Sequence, residues 1–141
     1  NIIIERNQIY EEIIIEDQNP QFALEAADAA IVASGTATLE AAIYGVPMVI
    51  IYKMNPISWL ISSVLVKTKF AGMPNIIANR MIVPELIQNQ FTAEKVFKQI
   101  NRLIKPGLAR DNTIQNLNNI VELLGSDNAS QKAASFILGK F

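Results

Sequence analysis

Short runs of apolar and mostly β-branched residues alternate with helical patterns along the first half of the chain. The runs typical of strands are residues 2–4, 13–15, 29–33 and 48–52. Helical patterns follow the third and fourth runs, which is the order of strands and helices in a βαβ unit. The pattern therefore predicts an α/β fold in which a parallel sheet of about four or five strands carries helices on both faces.

Capping residues predict where several helices begin and end. Asn19 and Pro20 are typical of a helix start, because asparagine caps free N–H groups and proline fits the first helical position. The helix after the third predicted strand is expected to end near Gly45. Beyond Thr92, a predicted N-cap, apolar residues recur at helical spacing, so the last third of the chain is expected to be helical.

The composition limits the chemistry that is open to the chain. Its 141 residues, 50% of them hydrophobic, are enough for one domain over residues 1–141. Cysteine and histidine are both absent, which excludes disulfides, thiolate metal sites and a histidine base. The 12 basic and 13 acidic residues are scattered, so nucleic acid is not an expected partner. The chain starts without Met or a secretory signal, and we expect a cut through a strand of a longer protein.

The segment after the third predicted strand has the character of a phosphate-binding turn. It runs Ser34-Gly35-Thr36-Ala37-Thr38-Leu39-Glu40. A small-residue turn that opens a helix leaves backbone N–H groups free for an anion, and the three hydroxyls can donate further bonds. Thr36 and Glu40 would share a helix face, so the carboxylate could accept both ribose hydroxyls of a nucleotide. An equally good interpretation is that Ser34 and Thr36 only cap the helix.

Longer blocks around this turn resemble the lipid-A-disaccharide synthase family. The first block is residues 27–41, which contain the turn. Four later blocks, in which x marks a position that carries no resemblance, keep that family's order and spacing: Pro47-Met48-Val49, Tyr52-Lys53-Met54-x-Pro56, Leu65-Val66-Lys67-Thr68 and Met73-Pro74-Asn75-Ile76-Ile77-Ala78-x-Arg80. Other two-domain glycosyltransferases have a similar Ser-Gly and Glu pattern, but they are not expected to carry the Lys-Thr and Pro-Asn blocks. The resemblance covers about residues 24–100.

The resemblance implies a fold and an activity. The chain would be the Rossmann-like C-terminal domain of a GT-B glycosyltransferase, a UDP-sugar-binding domain from which the N-terminal acceptor-binding domain is absent. The whole enzyme would transfer 2,3-diacylglucosamine from UDP-2,3-diacylglucosamine to 2,3-diacylglucosamine 1-phosphate. This inverting step of lipid A biosynthesis releases UDP. Without the other half, the chain is expected to bind UDP weakly and to be inactive.

The resemblance also implies roles for individual residues. The UDP of the donor would be held by Ser34, Gly35, Thr36, Thr38 and Glu40. Lys53 and Arg80 are candidate phosphate contacts, although Arg80 could equally be a solvated loop residue. At position 53 the family leads us to expect arginine, and lysine keeps the charge but loses the bidentate fork. Asn75 is the candidate catalytic residue, with a predicted loop at Gly72 and Pro74 before it. Asn75 would orient a diphosphate or a sugar hydroxyl, and an Asx-turn or helix cap is its alternative.

No metal or other cofactor is expected, because no carboxylate cluster suitable for magnesium lies near the turn. The expected partners are the two lipid substrates, the N-terminal half of the enzyme, which would provide the general base, and a membrane surface. The oligomeric state stays open, with a homodimer among the options. The expected location is the cytoplasm, at the inner face of the inner membrane of a Gram-negative bacterium.

An apolar run at residues 57–66 is the candidate membrane contact within the chain. It contains Trp59 and is followed by Lys67 and Lys69, which could anchor at the level of the lipid headgroups. A buried core helix is the favoured alternative. The run falls short of the roughly 20 residues that a membrane span needs.

Two other functions stay open at this point. The chain could belong to another UDP-sugar glycosyltransferase or an epimerase of the same architecture, or it could be a non-catalytic nucleotide-binding remnant. Asp17, Asp28 and Glu85 have no partner that the sequence identifies, and no role is assigned to them.

Overall fold

Three parallel strands form the sheet in the described part of the chain. The computed structural model describes residues 16, 18–55, 68–125 and 134–139. The strands are β1 (Ala30–Ala33), β2 (Met48–Tyr52) and β3 (Glu85–Ile87), in the order β1-β2-β3. Both pairings are parallel, as predicted. The strands predicted at residues 2–4 and 13–15 and the helix predicted at 57–66 lie outside the described residues.

Five helices connect and cover these strands within the described residues. They are α1 (Pro20–Ala26), α2 (Ala37–Ile43), α3 (Met73–Ala78), α4 (Ala93–Ile104) and α5 (Leu108–Leu124), with a 3-10 turn at Gln88–Gln90. Residues 134–137 are also helical. Both predicted caps are confirmed, since Asn19 Oδ1 accepts from the backbone N–H of Gln21 and Thr92 Oγ1 accepts from that of Lys95.

One local prediction differs from the structure, and one strand was not predicted. The loop predicted at Gly72 and Pro74 is wrong, because helix α3 begins at Met73 and contains Asn75. Pro74 lies in the first turn of α3, where its missing N–H removes no helical hydrogen bond. Strand β3 was not predicted because it has only three residues and begins with a glutamate, a residue type that is depleted in strands.

Strand β2 lies at the centre of the core. Met48, Val49 and Ile50 are fully buried, so both faces of the strand are covered. Met48 and Ile50 belong to a cluster with residues of α2 and α5, whereas Val49 belongs to a second cluster with residues of α4. This arrangement confirms helices on both faces, and it explains why β2 is a continuous apolar run rather than an alternating one.

The parallel order gives the sheet one carboxyl edge, where all three strands end. Ligands of open α/β sheets bind in the crevice outside this edge. Along the described residues, the structure contains no helix that is long and apolar enough to cross a membrane.

Candidate functional site

The residues that follow the three strands meet at the carboxyl edge. Ser34 follows β1, Lys53 follows β2 and Gln88 follows β3. The Ser34 N–H donates to the carbonyl of Ile51 at 3.0 Å, so the pairing with β2 continues one residue beyond β1. The predicted position of Ser34 at the carboxyl end of a strand is confirmed.

Gly35 gives the turn after β1 its shape. Its φ of 147° is a conformation that L side chains rarely adopt, although no neighbouring atom would contact an added Cβ. The glycine is therefore required by its backbone angle and not by crowding. Across the described ranges, the N–H groups of Gly35 and Thr36 make no hydrogen bond, and both residues are exposed. These two donors are free to meet an anion at the turn.

The hydroxyls of Ser34 and Thr38 are used inside the protein. Ser34 Oγ donates to the carbonyl of Ala71 at 2.7 Å. Thr38 is fully buried, and its Oγ1 donates to the carbonyl of Gly35 at 2.7 Å and accepts from the N–H of Met73 at 3.3 Å. Direct donation from Ser34 or Thr38 to a phosphate would require these bonds to change, and it stays a prediction.

Thr36 and Glu40 present the exposed polar side chains of the turn. Thr36 makes no capping bond, so the capping alternative is not seen at this residue. The N–H of Glu40 donates to the carbonyl of Thr36 at 3.2 Å, which confirms that the two residues lie one helical turn apart. Glu40 is exposed, and its carboxylate forms no ion pair with any residue that the structure describes. Its oxygens are therefore available to a ligand beside the turn.

The segment after β2 is held by a glutamine that the sequence did not single out. The N–H of Met54 donates to Gln88 Oε1 at 2.8 Å, and Gln88 Nε2 donates to the carbonyl of Met54 at 3.2 Å. The neighbouring Lys53 is exposed at the same edge. Gln88 therefore fixes the backbone next to the candidate phosphate contact, and no sequence pattern marks this long-range pairing.

Arg80 does not join the residues at the turn. It lies between α3 and the start of β3, and its Nη2 donates to Asn116 Oδ1 on α5 at 2.6 Å. Because β3 begins at the amino edge of the sheet, Arg80 approaches the sheet away from the carboxyl edge. A phosphate contact by Arg80 remains a prediction that this geometry does not favour.

Asn75 is fully buried in α3. Its Oδ1 accepts from the N–H groups of Ile82 and Val83 at 2.7 and 3.0 Å. Its Nδ2 donates to the carbonyl of Val83 at 2.8 Å and to Glu85 Oε1 at 2.7 Å. These bonds use both donors and both acceptor positions of the amide. Contact with a substrate would require them to break, so the geometry favours a role in positioning rather than in chemistry.

Glu85, to which the sequence assigned no partner, is the centre of a buried hydrogen-bond network. Only 8% of the residue is exposed. Its Oε2 accepts from the N–H of Ala71 at 2.8 Å, and its Oε1 accepts from the N–H of Gly72 at 2.9 Å as well as from Asn75. The sequence signal was a charged residue inside an apolar stretch, which indicates a paired group when that stretch is buried.

No cluster of acidic residues that could hold a metal ion occurs among the residues described. Among the described residues at the carboxyl edge, the backbone N–H groups of the Gly35 turn, the Thr36 hydroxyl, the Glu40 carboxylate and the Lys53 ammonium group are available to a ligand. Hydrogen-bond donors and a cation suit a phosphate, and a carboxylate suits paired hydroxyls.

A parallel sheet with helices on both faces and a small-residue turn at its carboxyl edge defines a Rossmann-like domain, consistent with a glycosyltransferase domain. The family model described as lipid-A-disaccharide synthetase matches residues 2–138. The chain therefore belongs to the lipid-A-disaccharide synthetase family.

Curated relatives support the same assignment. The lipid-A-disaccharide synthase of Koribacter versatilis is 44% identical over 106 residues, which are 75% of this chain and 28% of that protein. The synthase of Myxococcus xanthus is 35% identical over 126 residues, 89% of this chain and 33% of its own length. The synthase of Hydrogenovibrio crunogenus is 39% identical over 127 residues, 90% of this chain and 34% of its own length. The chain spans about a third of the length of these relatives.

Proposed function

We propose that the chain is the donor-binding part of a lipid-A-disaccharide synthase. The whole enzyme would transfer 2,3-diacylglucosamine from UDP-2,3-diacylglucosamine to 2,3-diacylglucosamine 1-phosphate and release UDP. Family membership supports this reaction. The observation that carries the role of this chain is the Gly35 turn at the carboxyl edge, with free N–H groups and the exposed Thr36 and Glu40 beside it.

In this proposal the turn binds the diphosphate of the donor. The N–H groups of Gly35 and Thr36 and the Thr36 hydroxyl donate to phosphate oxygens, and Lys53 provides a positive charge at the same edge. Fixed donors aimed at the leaving diphosphate stabilise the charge that develops there as the glycosidic bond breaks. Glu40, one turn along α2, accepts hydrogen bonds from the two ribose hydroxyls.

The remaining steps belong to the other half of the enzyme. That half would bind the acceptor and provide the base that deprotonates the attacking hydroxyl, in an inverting transfer that needs no metal. The chain alone is therefore expected to bind UDP and to catalyse no transfer. We further propose peripheral association with the inner face of the inner membrane, since both substrates carry acyl chains.

Calorimetry with two nucleotides tests the proposed site. Glu40→Gln should weaken UDP binding by about 1.5–3 kcal/mol, the range for a hydrogen bond to a charged group. It should weaken binding of 2′-deoxy-UDP much less, because that nucleotide lacks one of the two hydroxyls that donate hydrogen bonds to Glu40. Thr36→Val should weaken UDP and 2′-deoxy-UDP equally and should scarcely affect uridine, because its hydroxyl is placed at the diphosphate.

A matched control is Glu122→Gln, which removes the charge of an exposed glutamate on α5. It should leave the affinity for both nucleotides unchanged. If Glu40→Gln weakened both nucleotides equally, Glu40 would not be the ribose ligand. If neither substitution at the turn changed UDP affinity, the nucleotide site would lie elsewhere.

The reaction is tested by placing this chain in the full-length Koribacter versatilis relative, where it replaces the matching segment. The exchanged enzyme should release UDP only when both lipid substrates are present, and Glu40→Gln should reduce that rate. Release of UDP with a different acceptor would indicate another glycosyltransferase, and inversion of a sugar hydroxyl without release of UDP would indicate an epimerase. A nucleotide-binding chain with no turnover in any exchange would favour the non-catalytic alternative.

A further inference from the structure

Residues 71–73 lie between the Gly35 turn and the start of β3, and they form hydrogen bonds to both. On the inner side, the N–H groups of Ala71 and Gly72 donate to the two oxygens of the buried Glu85 carboxylate. Hydrogen bonds to a carboxylate are shorter and stronger than those between neutral groups. This side of the segment is therefore the more strongly fixed of the two.

Asn75 extends the same network to the segment before β3. It donates to Glu85 Oε1 and holds the backbone of Ile82 and Val83 through its amide oxygen. Glu85 and Asn75, with the backbone of Ala71 and Gly72, form what we call the Glu85 network. Every described bond to the Glu85 carboxylate comes from an N–H donor, so each oxygen must act as an acceptor.

On the outer side, residues 71–73 are bonded to the turn. The Ala71 carbonyl accepts from Ser34 Oγ, and the Met73 N–H donates to Thr38 Oγ1, which itself donates to the Gly35 carbonyl. The three residues therefore connect the Glu85 network directly to the backbone around Gly35. A shift of residues 71–73 would displace the partners of both Ser34 and Thr38.

Close packing limits any such shift. A Cβ added at Gly72 would overlap the side chain of Ile50 and would lie 3.2 Å from Glu85 Oε1. Ile50 is fully buried in β2, so it has little room to move. Gly72 therefore has room for a side chain only if Ile50 moves.

We propose that Glu85 is a positioning residue for the nucleotide turn. Its carboxylate fixes residues 71–73, and these residues fix Ser34, Thr38 and hence the Gly35 backbone that meets the diphosphate of a nucleoside diphosphate. Glu85 does not touch the ligand. The proposal rests on the proposed function in that the turn is taken as the diphosphate site.

Glu85→Gln in the 141-residue chain tests the proposal. Glutamine has the size of glutamate but replaces one acceptor oxygen by an NH2 group, which cannot accept from the N–H groups that surround it. The affinity for UDP should fall about tenfold, because a buried donor loses its acceptor and the segment shifts. The affinity for uridine should change little. Amide exchange should become faster at Ala71, Gly72 and Thr38.

Leu103→Ala is the control for a general loss of stability. Leu103 is buried in the cluster on the α4 face and makes no bond to residues 71–73. Its truncation should lower the melting temperature and leave UDP affinity unchanged at a temperature where both variants are folded. A purely structural role of Glu85 would give the same result for Glu85→Gln. A folded Glu85→Gln chain with the UDP affinity of the wild type would therefore overturn the proposal.

Glu85→Asp is the second variant if Glu85→Gln does not fold. It keeps the charge and withdraws the carboxylate by one methylene group, so it should produce the same selective loss to a smaller extent. Unchanged UDP affinity and amide exchange in this variant would equally overturn the proposal. A wild-type chain that binds no UDP would contradict the proposed function. Amide exchange at Thr38 in wild type and variant would then still decide whether Glu85 positions the turn.

Discussion

The Thr38 hydroxyl joins two parts of the site that are far apart in the sequence. It donates to the Gly35 carbonyl within its own turn and accepts from the N–H of Met73, the first residue of α3. Thr38 is fully buried and both bonds are partly buried, so water has limited access to the atoms that they join. A buried donor that loses its acceptor costs more than the bond contributed, so this residue is sensitive to loss of the hydroxyl alone.

Thr38→Val keeps the shape of the side chain and removes that hydroxyl. We expect the free energy of unfolding to fall by about 1–3 kcal/mol, because the Met73 N–H is left without an acceptor. Urea unfolding followed by circular dichroism measures the change. Thr36→Val is the matched control, since Thr36 is exposed and caps nothing, and it should change stability by about 0.5 kcal/mol or less. Equal losses in the two variants would contradict the role assigned to Thr38.

At the scale of elements, the fold depends on two apolar clusters on opposite faces of the sheet. Helix α5, 17 residues long, supplies Leu117 and Ile120 to the larger cluster, which also contains residues of β1, β2 and α2. Leu117 is fully buried, whereas Leu123 on the same helix is 74% exposed. The helix therefore offers the same residue type in two environments.

Leu117→Ala should lower the free energy of unfolding by about 2–5 kcal/mol, the range for truncation of a buried leucine that leaves a cavity. Leu123→Ala should change it by about 0.5 kcal/mol or less, since no packed contact is lost. Thermal or urea unfolding of both variants measures the two changes in the free energy of unfolding. If Leu123→Ala proved as costly as Leu117→Ala, the orientation of α5 on the sheet would be incorrect.

The sequence predicted those elements whose signal is local. β2 is a continuous apolar run, and the starts of α1 and α4 carry the caps Asn19 and Thr92, so they could be placed from neighbouring residues alone. β3 could not, because a strand of three residues is defined by its pairing with β2 and not by its own pattern. α3 was missed because glycine and proline occur both in loops and at helix starts.

The same distinction holds in the site. The exposure of Thr36 and Glu40 and their spacing of one helical turn were predictable, because both residues lie in one continuous segment. The burial of Asn75 and the network around Glu85 could not be predicted. Several bonds of this network join residues that are ten or more positions apart in the chain. These groups come together only in the folded chain, where Asn75 on α3 donates to Glu85 Oε1 at the start of β3.

At the scale of the whole molecule, the Arg110 guanidinium connects segments from both ends of the described fold. From α5 it donates to the carbonyl of Leu103 near the end of α4 and to the carbonyl of Asp28 just before β1. Arg110 Nη2 also forms an ion pair with Asp28 Oδ1 at 3.7 Å. The Arg110 side chain is 21% exposed, whereas that of Asp28 is 82% exposed. The two carbonyl bonds should therefore contribute more to stability than the ion pair.

Substitution of each partner separates these contributions. Arg110→Lys keeps the charge but lacks the planar guanidinium, whose Nη1 donates to both carbonyls. The substitution should lower the free energy of unfolding by about 1–3 kcal/mol. Asp28→Asn removes only the ion pair and should cost about 0.5 kcal/mol or less, as expected for an exposed pair. Urea unfolding at low and high salt provides the measurement. A large, salt-sensitive loss in Asp28→Asn would show that the ion pair dominates.

The overlap between a Cβ at Gly72 and the side chain of Ile50 has a consequence for how the family can diverge. Alanine at position 72 would meet the terminal carbon of Ile50, and valine at position 50 would lack that carbon. Ile50→Val is tolerable alone, since such a truncation costs only about 0.5–1.5 kcal/mol, whereas Gly72→Ala alone overpacks the core. Gly72→Ala is therefore accessible after Ile50→Val but not before it. Which sequences can appear beside the Gly35 turn would then depend on whether an earlier substitution had already shortened the side chain of a buried core residue.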